Sequence, residues 1–279
     1  MTAGAEALPP LRDVIARYGL GARKRLGQHF LLDPNLTARI ARAAAPLEGF
    51  DILEVGPGPG GLTRALLARG ARRVVAIERD VRFMGALADL GAAYPGRLTL
   101  IEGDALEIDA RVHLHAPAKV VANLPYNAAT ELLLRWLKAD AFFDSFTLMF
   151  QKEVASRLTA TPGTKAYGRL SVATQWRCRT ERLFDISPRA FIPPPKVTST
   201  VVRLTPRETR LAPADPVCLE EVTAAAFGQR RKMLRSSLKT LGVDTGALLT
   251  AAGVDGRHRV EDLEIEKICA LANALVELR

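Results

Sequence analysis

Apolar residues in the first half of the chain come in short dense runs, at 51–55, 73–78, 97–102, 118–122 and 145–150. These read as strands, and the segments between them, 61–69, 80–90, 128–138 and 151–160, read as helices. Strands alternating with helices predict a parallel sheet with helices on both faces, an α/β architecture. Upstream, residues 11–18 read as a short helix after a flexible start. Asp33 suits an N-cap and Pro34 the first helical position, so a second helix is expected to run to about Ala45.

The pattern changes after Ala160. Thr161–Gly168 is a loop of turn-formers, and 169–177 is read as helix. Residues 180–186 and 197–204 read as an antiparallel β pair joining the sheet edge. Between them, Phe191-Ile192-Pro193-Pro194-Pro195-Lys196 is held extended by its prolines. A linker rich in proline and charge follows, from Thr205 to Pro216. Beyond it, 216–227, 230–241, 244–252 and 261–277 read as helices. Three parts are therefore expected: an N-terminal extension (1–22), a Rossmann-like domain (23–206) and a small all-helical domain (207–279).

Glycines mark the first strand end. Ile52-Leu53-Glu54-Val55 runs into Gly56-Pro57-Gly58-Pro59-Gly60-Gly61 and a new helix. Glycine is needed where φ is positive or where a ligand lies against bare backbone. Such turns hold a pyrophosphate or a phosphate-free nucleoside, and G-x-G patterns also occur in plain βα turns. Glu54 would repel a pyrophosphate and suit a cation. S-adenosylmethionine carries a sulfonium and an ammonium and no phosphate. Glu78 closes the next strand, placed to accept from ribose hydroxyls. Asp104 follows the third, placed to accept from an adenine amino group. A nicotinamide-dependent dehydrogenase, the competing reading, has less use for Glu54.

Asn123-Leu124-Pro125-Tyr126 follows the fourth strand. Pro125 drives Leu124 out of the helical region, so the backbone leaves the sheet abruptly. An exocyclic amine is a poor nucleophile because its lone pair is delocalised. Two acceptors, the Asn123 side-chain oxygen and the Leu124 carbonyl, would grip its N–H groups and aim that lone pair at a methyl group. Tyr126 would stack on the base, and Phe191 would cover its other face.

Net charge is +9 over 279 residues, which fits a polyanionic partner. Arg23, Lys24 and Arg25 precede Gly27, and Lys165 and Tyr167 stand in the turn-rich loop. Lys196 follows the prolines. Arg230, Arg231, Lys232, Arg235 and Lys239 share one segment with no acid, beside an apolar stripe of Leu234, Leu238 and Leu241. All these cations, with Tyr167, are candidate RNA contacts. Cys178, Cys218 and Cys269 are far apart and odd in number, which suggests neither disulfides nor zinc. His113 and His115 lack companions for a metal site. No signal peptide or membrane-spanning run is evident, and a cytoplasmic monomer is expected.

Six blocks then appear in a characteristic order: Gly27-Gln28-His29-Phe30-Leu31, Glu54-Val55-Gly56-Pro57-Gly58, Asn123-Leu124-Pro125-Tyr126, Gln151-Lys152-Glu153-Val154-Ala155, Lys165-Ala166-Tyr167-Gly168-Arg169-Leu170-Ser171-Val172 and Phe191-Ile192-Pro193-Pro194-Pro195-Lys196-Val197. Over about residues 20 to 240 the chain resembles the bacterial small-subunit (16S) ribosomal RNA adenine N6,N6-dimethyltransferases. That resemblance implies a class I methyltransferase sheet with a helical domain. It implies dimethylation of two adjacent adenines near the 3′ end of the small-subunit rRNA, within an assembling 30S-type particle. It also implies that S-adenosylmethionine is held by His29, Leu31, Gly56, Glu78, Asp104 and Asn123. Position 29 is often Asn in the family, and either residue can donate and accept. The related large-subunit dimethyltransferases share the Asn-Leu-Pro-Tyr-type motif but usually not the Lys165–Val172 block.

Overall fold

The computed structural model describes residues 8–23, 27–139 and 142–279. The elements, in chain order, begin with α1 (Leu11–Tyr18), β1 (Phe30–Leu31), α2 (Pro34–Ala43), β2 (Asp51–Val55) and α3 (Gly61–Ala68). Then come β3 (Arg73–Glu78), α4 (Met84–Ala93), β4 (Leu98–Glu102), β5 (Ala118–Asn123), α5 (Ala129–Trp136) and β6 (Phe143–Gln151). After them run α6 (Lys152–Leu158), α7 (Arg169–Gln175), β7 (Cys178–Ile186), β8 (Phe191–Ile192) and β9 (Ser199–Pro206). Four helices close the chain: α8 (Pro216–Gly228), α9 (Leu234–Ser237), α10 (Thr245–Ala251) and α11 (Ile265–Glu277).

The main sheet has seven strands in the order β4-β3-β2-β5-β6-β9-β7. β4, β3, β2, β5 and β6 are parallel, and β9 runs antiparallel against β6. Every residue of β2 is buried, as expected for a strand covered on both faces. The chain steps outward from β2 through β3 to β4, then returns to place β5 on the other side of β2. The order therefore reverses between β2 and β5. A crevice opens at such a reversal, beyond the carboxyl ends of the strands. Gly56 and Asn123 sit at those two ends.

Local signals explain the helix starts. Asp33 accepts from the Asn35 amide at 2.8 Å, with Pro34 at the first helical position. Asp215 and Pro216 repeat the device at α8, where Asp215 accepts from the Cys218 amide at 2.8 Å.

The contacts divide the chain into two units. One runs up to Ala155 and includes Glu181–Pro206; the other is Ser156–Thr180 with Arg207–Arg279. The helical unit thus begins earlier than the sequence boundary at 207 suggests. Val172 of α7 and Trp176, just past its end, share a core with Leu219 and Val222 of α8 and with Ile268 and Leu271 of α11. Its expected helix over 230–241 is shorter, an α-helix at α9 followed by a 3-10 turn over Leu238–Leu241. The Leu234 and Arg235 amides donate to the carbonyls of His258 and Gly256 instead of to a preceding helical turn. The apolar stripe survives, with Leu234 and Leu238 fully buried.

Two short strands lie outside the main sheet. β1 pairs antiparallel with β8, Phe30 opposite Ile192 and Leu31 opposite Phe191.

Candidate active site

The glycine turn after β2 is shaped by sterics. Gly56, Gly58 and Gly60 all have positive φ, at 69°, 55° and 87°, alternating with Pro57 and Pro59. A side chain at Gly56 would reach Pro125 at 3.7 Å, so the end of β2 and the Asn123–Tyr126 segment are in contact. At Gly61 a Cβ would lie 2.8 Å from the Leu31 carbonyl oxygen, which fixes α3 close against β1.

These strand ends surround a cavity of about 760 Å³ in the sheet unit. His29, Leu31, Gly56, Glu78, Asp104 and Asn123 all line it, as do Glu54, Leu124 and Tyr126. Six positions spread over 95 residues of sequence thus reach one space.

Glu78 is buried, and its carboxylate oxygens accept from the Gly58 amide at 3.0 Å and the Asp80 amide at 2.8 Å. Burial nonetheless pushes its carboxyl above the ordinary range. Asp104 accepts from the Leu106 amide at 2.9 Å and from Arg79 at 3.1 Å. Asp80, two residues beyond β3, is held by Arg82 at 2.5 Å and by Gln28 at 2.9 Å, and its carboxyl is pulled down to about 2 by that guanidinium. Gln28 in turn accepts from the Arg23 amide at 2.9 Å, which links Arg23 through Gln28 to Asp80.

The Asn123 amide nitrogen donates to the His29 carbonyl at 3.4 Å. That bond orients the amide and leaves Oδ1 as an acceptor. None of the hydrogen bonds among the described residues ends on the Leu124 carbonyl oxygen. Tyr126 is half-buried and its hydroxyl shares a hydrogen bond with Ser199 at 2.9 Å, which anchors the ring. His29 lies 6.0 Å from that ring, centroid to centroid. Its Nδ1 is 2.7 Å from the Pro193 carbonyl. A carbonyl only accepts, so Nδ1 carries the proton.

Three sequence expectations are corrected. Phe191 is 2% exposed and packs in the core with Leu31 and Val201, so in this structure it does not line the cavity. Its place opposite Leu31 in the β1–β8 pair turns the ring inward. Tyr167 is fully buried, edge-on to Phe227, and donates to the Leu263 carbonyl at 3.0 Å, so it offers RNA no surface. Arg230 is an internal brace: it pairs with Glu261 at 2.5 Å and donates to the carbonyls of Lys165 and Thr164. The other described cations, Arg23, Lys165, Lys196, Arg231, Lys232, Arg235 and Lys239, are exposed. Lys24 and Arg25 lie outside the described residues.

Sequence reasoning assigned no contact to Ser199, Pro193 or Gln28, which hold Tyr126, His29 and Asp80 in place. Gln28 and Pro193 carried a signal, as members of the Gly27–Leu31 and Phe191–Val197 blocks; Ser199 carried none. All three cysteines are buried and unbridged, and among the described residues no group of His, Cys, Asp and Glu could hold a metal ion. No helix among them is long and apolar enough to cross a membrane.

The family described as Ribosomal RNA adenine dimethylase matches residues 19–277. The Ribosomal RNA small subunit methyltransferase A of Rhodospirillum rubrum is 61% identical over 270 residues, 97% of this chain and 93% of that protein. Its namesake in Azorhizobium caulinodans is 60% identical over 281 residues, 98% of this chain and 94% of that one. Among solved structures, a dimethyladenosine transferase from Plasmodium falciparum superposes with a TM-score of 0.73 at 25% identity, over 87% of this chain and 96% of that one. The 23S rRNA methyltransferase ErmE gives 0.68 at 28% identity, over 88% and 99%. A match running almost end to end, on a chain whose glycine turn and Asn-Leu-Pro-Tyr segment meet at one cavity, places this protein in the ribosomal RNA adenine dimethylase family.

Proposed function

We propose that this enzyme uses S-adenosylmethionine to dimethylate two adjacent adenines near the 3′ end of small-subunit rRNA, in an assembling subunit. The carrying observation is the acceptor pair at the end of β5: among the described residues nothing donates to the Asn123 Oδ1 or the Leu124 carbonyl, and both residues line the cavity. Identity of about 60% to two small-subunit enzymes favours the small-subunit target over the large-subunit one.

The cavity fits the cofactor. Glu54 and Glu78 offer carboxyl groups to a cationic ligand, and Glu54 Oε2 is buried without a hydrogen-bond partner. Pro57 and Pro59 remove two backbone donors that a pyrophosphate would need. When bound, the cofactor supplies an electrophilic methyl group on a sulfonium. His29, Leu31, Gly56, Glu78, Asp104 and Asn123 would hold it. Asn123 and Leu124 accept from the two N–H groups of the adenine amine, which favours a pyramidal nitrogen and directs its lone pair. Tyr126, anchored through Ser199, stacks on the extruded base and keeps its plane fixed. Positioning and preorganised acceptors carry the rate, with no strong base required. After one methyl transfer the amine still presents an N–H, so one acceptor remains engaged for the second.

Asn123→Ala tests the assignment. Turnover on small subunits lacking the modification is expected to fall by about 10²–10³-fold, as when one preorganised transition-state contact is removed. Cofactor affinity, measured by titration, is expected to change less than about tenfold. Equal losses in both would make Asn123 a cofactor ligand first.

A further inference from the structure

Glu54 is the buried acid that the methyl-transfer geometry leaves unused. It is 2% exposed on β2, lines the cavity, and its Oε2 has no hydrogen-bond partner. The groups around it are few. Glu78 on β3 presses on it with like charge. Thr63 on α3 is the one hydroxyl that favours its charged form, by less than burial opposes it, and Thr63 Oγ1 makes no close hydrogen bond. Arg64, next on α3, donates to the Pro9 carbonyl instead. β5 alongside presents Val120, Val121 and Ala122. Arg82 is committed to Asp80, and Arg79 to Asp104. Among the described residues, two neighbouring carboxyls therefore line this space with no cation paired to either.

A buried carboxyl with one oxygen unpartnered is cheaper neutral than charged. Burial pushes Glu54 up to about 8, so at neutral pH it is mostly protonated. A sulfonium brought beside it reverses that preference, whereas the ammonium is common to donor and product, and sulfonium binding and proton loss become one linked event.

We propose that Glu54 is a proton-linked charge sensor that releases its proton to solvent when the sulfonium cofactor binds and regains one when the neutral thioether product takes its place. This rests on the cofactor reading above. Its use is discrimination between donor and spent product, which differ by one methyl group and one positive charge. Dimethylation needs a fresh donor for each methyl, so a wall that favours the charged form assists every exchange. Donor affinity should rise by up to tenfold per pH unit from about pH 6 to 8 and then level off, while product affinity stays flat.

The experiment is calorimetric titration of the full chain with S-adenosylmethionine and with S-adenosylhomocysteine, at pH 7 in two buffers of different ionisation enthalpy. The donor is expected to release close to one proton more than the product. In Glu54→Gln the excess should vanish, and donor affinity should vary less than twofold between pH 6 and 8. Equal proton counts for the two ligands would overturn the proposal, as would a full proton release that persists in Glu54→Gln. Failure of both ligands to bind wild-type protein would overturn the cofactor reading and this inference with it. Melting of ligand-free protein gives a check that needs no ligand. The folded carboxyl titrates above its unfolded value, so the native state holds the extra proton and stability is lost as pH rises from about 5 to 8. Glu54→Gln should reduce that slope, leaving the part that the likewise raised Glu78 supplies, and a slope unchanged in Glu54→Gln would count against Glu54. Should Glu54→Gln not fold, the donor–product difference in wild type still decides.

Discussion

A single hydroxyl fixes the fate of Tyr167. It donates to the Leu263 carbonyl from a fully buried position, across 96 residues of sequence. Removing it leaves that carbonyl unpaired, which costs about 1–3 kcal/mol. Tyr167→Phe should therefore lower the denaturation free energy by that amount while leaving RNA affinity unchanged, measurable by urea titration alongside a binding assay. The residues that sequence reasoning placed well are those whose role is set by nearby backbone. Gly56 needs positive φ, and Asn123 sits one residue past the last apolar position of β5. Tyr167, Phe191 and Arg230 were misplaced because a distant partner decides each: Leu263, Leu31 and Glu261. A tyrosine among turn-formers carries no mark of a carbonyl that lies so far along the chain.

Among elements, the parallel strands were readable because strands covered on both faces leave continuous apolar runs. β1 and β8 were not, since two-residue strands have no period and their pairing spans some 160 residues. Yet this pair seats the His29 backbone that Asn123 binds, and α3 is packed against it. Gly61→Ala puts a methyl group 2.8 Å from the Leu31 carbonyl, a backbone atom that cannot rotate away. The variant should be destabilised by about 1–3 kcal/mol. Its affinity for S-adenosylmethionine should fall as well, because His29 and Leu31 lie on the shifted segment. α9 teaches a complementary lesson. The spacing of Leu234, Leu238 and Leu241 gave the buried face correctly, but not the helix start, which is set by amides donating to the 256–258 loop.

For the whole molecule, charge is the quantity visible in composition. A net charge of +9 makes RNA association strongly dependent on salt. Arg231, Lys232 and Arg235 are exposed on the helical unit, whereas Arg230 is taken up by Glu261. Replacing those three with alanine should flatten the log–log salt dependence of RNA binding by about 2, at roughly 0.7 per lost phosphate contact. Arg230→Ala should act first on melting temperature. Both are read by filter binding over a salt series and by calorimetry.

Composition did not reveal how the two units are threaded. The chain leaves the sheet unit after Ala155, returns at Glu181 and departs again after Pro206. Neither part is a bead on a string. A protease cutting once cannot free one from the other, and a gene fragment ending at Pro206 would still carry a stray piece of the helical core. Exchange of the helical unit between relatives by recombination would need breakpoints on both sides of 156–180 as well as one at 206, which favours the inheritance of both parts together.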